Sequence, residues 1–118
     1  MSYDVEVFRS AYRESPEIMR EILRLYREEA PQRLETIRQG LAGGAFDEVA
    51  AAAHSLANTS GALQCPGAVT AAQALEEAAR RADAEGCRRE LDRLAPLVSD
   101  VVAQAGNALA ADGPNRAE

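Results

Sequence analysis

Apolar positions recur every three to four residues along most of the chain, and no stretch alternates with the period of a strand. The pattern predicts one short helix and four long ones. Residues 4–13 form the short one, with Val5 and Phe8 turned inward. Ser15-Pro16-Glu17 then marks a helix start. Ser15 can cap, Pro16 suits the first helical position, and Glu17 sits at the positive end of the dipole. This helix carries Ile18, Ile22, Leu25, Tyr26, Leu34, Ile37 and Leu41 at helical spacing and ends at Gly43-Gly44. Pro31 lies inside it and removes one hydrogen bond. The next helix, 46–64, puts Phe46, Val49, Ala53, Leu56, Ser60 and Leu63 on one side. Cys65-Pro66-Gly67 breaks the chain, and 67–83 follows with Val69, Ala72, Leu75 and Ala79 on one face. Ala84-Glu85-Gly86 reads as a turn before a last helix, 87–110, with Leu91, Leu94, Val98, Val101 and Leu109 inside.

Short connections make successive helices antiparallel neighbours. The expected fold is therefore all-α: an up-down-up-down antiparallel four-helix bundle with a short extra N-terminal helix, spanning residues 1–111. The remainder, 112–118, reads as a disordered tail. At 118 residues the chain is one ordinary domain and can bury a core without disulfides or a metal.

Charge and composition narrow the function. The net charge is −6 and no basic stripe is present, which argues against nucleic acid as a partner. All 13 basic residues are Arg. No stretch approaches the ~20 apolar residues that span a bilayer. The opening Met1–Glu6 lacks the basic and apolar regions of a signal peptide, so the expected location is the cytoplasm. Cys65 and Cys87 form no metal pattern, and a helix of ~25 Å between them puts a disulfide out of reach. Both read as ordinary thiols.

One residue stands out on the helical wheel of 46–64. Its apolar positions fall in an arc of roughly 100°, the width of a core stripe. His54, the single histidine of the chain, lies roughly 130° from the centre of that arc and so points to solvent or to the bundle edge. Its neighbours on that face are Asp47, Ala50, Ala51, Ala57, Asn58 and Gly61, all small except Asp47. Exposed helix faces are normally built from long charged side chains. A smooth surround of Ala50, Ala51, Ala57, Asn58 and Gly61 suits the docking of another protein against the imidazole. A metal site is not expected, because no Cys, His or carboxylate set at ligand spacing accompanies His54. No Ser or Cys nucleophile pairs with it either.

Around His54 the chain resembles the histidine-containing phosphotransfer family, whose second long helix carries a pattern like His-x-Leu-Lys-Gly-x-Ser-x-x-Leu-Gly. His54, Leu56, Ser60 and Leu63 match it. In the next helix, Leu75-Glu76-Glu77-Ala78-Ala79-Arg80 looks like the family's Leu-Glu-x-x-Ala-Arg run. Upstream, Tyr26-Arg27-Glu28-Glu29-Ala30-Pro31-Gln32-Arg33-Leu34 resembles its first long helix. The likeness covers roughly residues 15–110. Three positions depart from it: Ala57 stands where the family has Lys, Asn58 where it has Gly, and Gln64 where it has a second Gly.

The resemblance implies a phosphorelay intermediary. His54 would accept a phosphoryl group from a response-regulator receiver aspartate and pass it to another receiver. Mg²⁺ is expected on the partner receiver, and the chain needs no cofactor of its own. A sensor kinase is the other implied partner, and the chain itself is expected to be no kinase. Ala57, Asn58 and Arg80 form the expected phosphate neighbourhood, with Arg80 as the cation that compensates for the missing Lys. Two alternatives stand beside this: an adapter that docks a receiver or kinase without efficient transfer, and a purely structural helical bundle.

Overall fold

In a computed structural model the chain forms five helices and, among the described residues, no strand. Residues 3–117 are described, those from 112 onward by backbone alone. The disordered tail expected at 112–118 therefore lies outside the residues described in full. The helices are α1 (Val5–Ala11), α2 (Pro16–Gly43), α3 (Phe46–Ala62), α4 (Pro66–Arg80) and α5 (Ala84–Ala117). Their contacts close a ring: α2 touches α3 and α5, and α4 touches α3 and α5. The short α1 packs on α5.

Local chemistry explains most of the boundaries. Asp4 caps α1 by accepting the Glu6 amide at 3.0 Å. Pro16 opens α2 and Pro66 opens α4, where a missing N–H costs nothing. Gly44 ends α2 in the left-handed conformation, at φ 73°. Two non-glycine residues also take that conformation, Gln64 at φ 60° after α3 and Ala82 at φ 55° after α4. Such positions cost roughly 1–2 kcal/mol for a residue with a Cβ. They let the chain reverse within a few residues.

The last connection lies three residues earlier than the sequence suggested: α4 ends at Arg80 instead of residue 83, and residues 81–83 make the turn. Residues 84–86 belong to α5 and form no turn. Asp83 is the reason: its carboxylate accepts the Gly86 amide at 2.9 Å and its carbonyl accepts the Cys87 amide at 2.9 Å. An aspartate in this position starts a helix.

The core is assembled from both ends of the chain. Phe8, Leu23, Tyr26, Ile37, Val49, Leu56, Leu63, Leu75, Leu94, Val98 and Val101 are fully buried or nearly so. Val5 and Phe8 face inward as expected. On α2 the buried row is Met19, Leu23, Tyr26, Ala30, Leu34, Ile37 and Gly40. Ile18 and Leu25, expected on the inner face, are exposed by 56% and 42%. They lie on the row beside the buried one, which α3 and α5 leave uncovered. Cys65 and Cys87 are free and buried, and burial raises both thiols above their ordinary pKa.

Three hydrogen bonds tie the N-terminal segment to α3 and α5. The Tyr3 hydroxyl donates to the Leu63 carbonyl at 2.8 Å, at the C-terminal end of α3. Gln104 donates to the Tyr3 carbonyl at 2.8 Å and accepts the Val5 amide at 2.9 Å. No helix among the described residues is long and apolar enough to cross a membrane.

Candidate functional site

The inner surfaces of α3 and α4 are built largely from alanine. Ala50, Ala52, Ala53 and Ala57 are buried on α3, and Ala68, Ala71, Ala72, Ala78 and Ala79 on α4. Small side chains set short interaxial distances. α3 and α4 accordingly share the most extensive contact in the molecule. Gly61 lies beside Val69, and His54 lies beside Glu76, so α4 doubles back along α3.

His54 is exposed, as the wheel placed it, with 59% of its side chain accessible. Its surroundings differ from the expectation in one respect. Ala51, Asn58 and Gly61 are exposed and continue the stripe of His54 along α3. Ala50 and Ala57 are buried, at 4% and 7%, and do not belong to an exposed docking face. The reason is that α3 is flanked by α2 and by α4. Its buried arc is therefore wider than the single stripe read from the large apolar residues. Ala57, three residues after His54, is thus a packing residue here.

The imidazole is held from the neighbouring helix. His54 Nδ1 lies 3.2 Å from Glu76 Oε1. Arg80, one turn further along α4, donates to the other oxygen, Oε2, through Nη2 at 2.6 Å and Nε at 3.2 Å. The Glu76 side chain is 16% exposed, whereas Arg80 is 64% exposed. Glu76 lies below its ordinary pKa of 4.5; the Arg80 hydrogen bonds are the largest cause, burial opposes them, and His54 adds to them. It is therefore ionised at neutral pH, and an ionised carboxylate only accepts. In the neutral ring this contact calls for the proton on Nδ1, which donates it to Oε1. The Nε2 atom then keeps the lone pair.

Arg80 thus comes within one carboxylate of His54, and its hydrogen bonds go to Glu76 and not to the imidazole. Sequence reasoning quoted Glu76 only as part of a motif and missed its contact. A signal was present. The chain reverses near Gln64, so positions ten before it and twelve after it, His54 and Glu76, meet across the hairpin.

The electrostatics near His54 are simple. From Val49 through Leu75 the chain has no Asp, Glu, Lys or Arg, although 27% of all residues are charged. The charge hydrogen-bonded to the imidazole comes from α4, as Glu76, which Arg80 holds in turn. No group of three or more His, Cys, Asp or Glu side chains suited to a metal ion occurs among the described residues.

Ser60, a motif position on the opposite side of α3, has a structural role. It is fully buried and lies 3.0 Å from the Tyr26 hydroxyl of α2. Burial raises Tyr26 to a pKa of about 12, despite the opposing bond from Ser60.

An all-helical chain with one exposed imidazole, fixed by a carboxylate from the adjacent helix, has the build of a histidine-based group carrier. The sequence model of the Hpt domain family matches residues 21–109, from within α2 to within α5. The chain belongs to the Hpt domain family, whose members take part in histidine phosphotransfer in phosphorelays and interact with response-regulator receivers. No curated protein and no solved structure matches the chain.

Proposed function

We propose that the chain is a phosphorelay intermediary and that His54 is its phosphoacceptor. The observation that carries this is the exposed imidazole of His54, inside the segment that matches the family, with Nδ1 on Glu76 and Nε2 turned away from it. The Nε2 lone pair attacks the phosphorus of a receiver aspartyl phosphate. An N–P bond forms, the acyl P–O bond breaks, and the aspartate leaves as a carboxylate with the bonding pair. The ring becomes an imidazolium, with its proton on Nδ1 facing the Glu76 carboxylate. In the onward step a second receiver's aspartate attacks, the N–P bond breaks, and the neutral ring regains its electron pair.

Such transfers need in-line positioning and charge neutralisation. The receiver supplies the aspartate and Mg²⁺; this chain supplies a nucleophile on a rigid helix and a counter-charge for the ring. It acts as a relay partner of receivers and a sensor kinase, without kinase activity or a cofactor of its own, in the cytoplasm. Residues 1–111 form its functional unit, an up-down-up-down antiparallel four-helix bundle with α1 added. The closed ring of helix contacts and the short α3–α4 connection support that topology. The exposed stripe Ala51, His54, Asn58 and Gly61 faces the partner.

The test is to incubate the protein with receivers charged by a small-molecule phosphodonor in the presence of Mg²⁺. Acid-labile, base-stable label is expected on the wild type and absent from His54→Gln. Binding without label would instead support the adapter role, consistent with Ala57 and Asn58 standing where the family has Lys and Gly. Absence of binding to any receiver would leave a structural bundle.

A further inference from the structure

We propose that the Asn58 carboxamide holds the phosphoryl group on His54, through a hydrogen bond from an uncharged side chain on the same helix. The proposal rests on His54 being the phosphoacceptor. Its basis is an elimination around one imidazole. On a helix, the positions that meet a residue lie three and four away, at roughly 5–6 Å between Cβ atoms. For His54 these are Ala50, Ala51, Ala57 and Asn58. Three of the four end in a methyl group. Asn58 alone among them carries side-chain donors, two N–H groups on one nitrogen. It is exposed, and no hydrogen bond engages its side chain.

Direction favours the same contact. Helical side chains lean toward the N-terminus, so the Asn58 amide lies over the turn that carries His54. Nδ1 is on Glu76 Oε1 at 3.2 Å, which leaves Nε2 to take the phosphoryl group. The other polar groups nearby are engaged or turned aside. The Thr59 hydroxyl donates to the Ser55 carbonyl at 3.1 Å. Ser55 is half-buried, and adjacent residues on a helix do not face each other. Glu76 as a carboxylate only accepts, and it repels a phosphate. Arg80 gives Nη2 and Nε to Glu76. Gln73 is exposed on the hairpin side of Glu76 and leans further toward the hairpin, away from His54.

Charge makes the donor consequential. No Lys or Arg occurs from Val49 through Leu75, so a phosphoryl group on His54 meets no cation on its own helix. A carboxamide N–H on a charged phosphate oxygen is a charge-assisted bond. It holds the group without placing a formal charge on the exposed stripe.

The test loads the full chain with phosphoramidate, a donor that needs no receiver, and follows loss of the group by phosphorus-31 NMR. Loss is hydrolysis: a water oxygen bonds phosphorus, the N–P bond breaks, dihydrogen phosphate leaves and the ring keeps the electron pair. Asn58→Ala is expected to speed this about fivefold, the worth of one net hydrogen bond. Asn58→Asp has the same size and a repelling charge, and is expected to speed it further. Alanine is the better helix former, so Asn58→Ala should melt above wild type while losing phosphate faster. A merely structural Asn58 would not separate those two readings. In wild type, the Asn58 side-chain amide protons should move downfield when His54 is phosphorylated. Equal lifetimes in wild type and Asn58→Ala would overturn the proposal. So would amide signals that stay in place, or an Asn58→Asp chain that keeps its phosphate longer than Asn58→Ala. The relay function fails separately: lifetimes in the expected order, with no label accepted from any charged receiver, would overturn that function and leave the role of Asn58 standing. Failure of phosphoramidate to label His54 would overturn both.

Discussion

Gly40→Ala and Gly61→Ala are expected to move stability in opposite directions. Each glycine lies inside a helix, Gly40 in α2 and Gly61 in α3, and neither has a positive φ. Alanine therefore lowers the backbone entropy lost on folding at both sites, a gain of about 0.5–1 kcal/mol. Space decides the rest. A Cβ on Gly61 meets only Val69 Cγ2, at 3.8 Å, which is ordinary contact. A Cβ on Gly40 would sit 2.8 Å from Val49 Cγ2 and 3.3 Å from the Ala45 carbonyl oxygen. Val49 is fully buried on α3 and the carbonyl is backbone, so neither yields easily. Overpacking of this kind costs about 1–3 kcal/mol. Gly61→Ala should then gain about 0.5 kcal/mol, the lower figure because it lies in the last turn of α3. Gly40→Ala should lose about 1–2 kcal/mol. At roughly 4 °C per kcal/mol for a domain of this size, the two melting points should separate by about 6–10 °C. Thermal and urea melts followed by far-UV circular dichroism would measure both. Gly40→Ala melting at or above wild type would refute the close α2–α3 contact. Gly61→Ala melting below wild type would refute the open surface at that end of the stripe.

Three further outcomes follow from the same contacts. Tyr26→Phe and Ser60→Ala should each cost about 1 kcal/mol and the double variant less than their sum, since each single change strands a buried hydroxyl; additive losses in urea would contradict the 3.0 Å bond. Glu76 has a depressed pKa when folded, so its contribution to stability is full above its ordinary value of 4.5 and is lost as pH falls through the folded value. Wild type should therefore exceed Glu76→Gln in urea stability at pH values near neutrality, with the gap closing in acid; a gap that widens in acid would reverse the sign. Ala57→Lys must push a long stem out of a buried position, so it should lower stability by about 1–3 kcal/mol; an unchanged melting point would show that Ala57 has room the structure denies it.

Much of the fold was legible because helix punctuation is local. Pro16, Gly44 and Pro66 mark their boundaries through backbone chemistry that needs no neighbour. The large apolar residues of α3 identified its inner side and placed His54 outside it. What failed depended on neighbours. On α2 two adjacent rows are apolar, and only the docking of α3 and α5 selects Met19 and Leu23 over Ile18 and Leu25. Alanine carries no directional signal, so Ala50 and Ala57 passed for surface until α4 covered that side. The site was legible in its nucleophile and not in its geometry. His54 is visible as a motif, whereas Glu76 becomes a partner only once the hairpin at Gln64 brings the two helices together. Arg80 is expected from the sequence to be the cation that compensates for the missing Lys, and its hydrogen bonds join it to the Glu76 carboxylate.

Whether His54 accepts and donates phosphate is tested by label transfer from receivers charged with radioactive phosphate in the presence of Mg²⁺. Acid-labile, base-stable label should appear on the wild-type chain, pass on to a second receiver, and be lost in His54→Gln with helix content unchanged. Label persisting in His54→Gln, or a wild-type chain that binds a charged receiver and takes none, would contradict it.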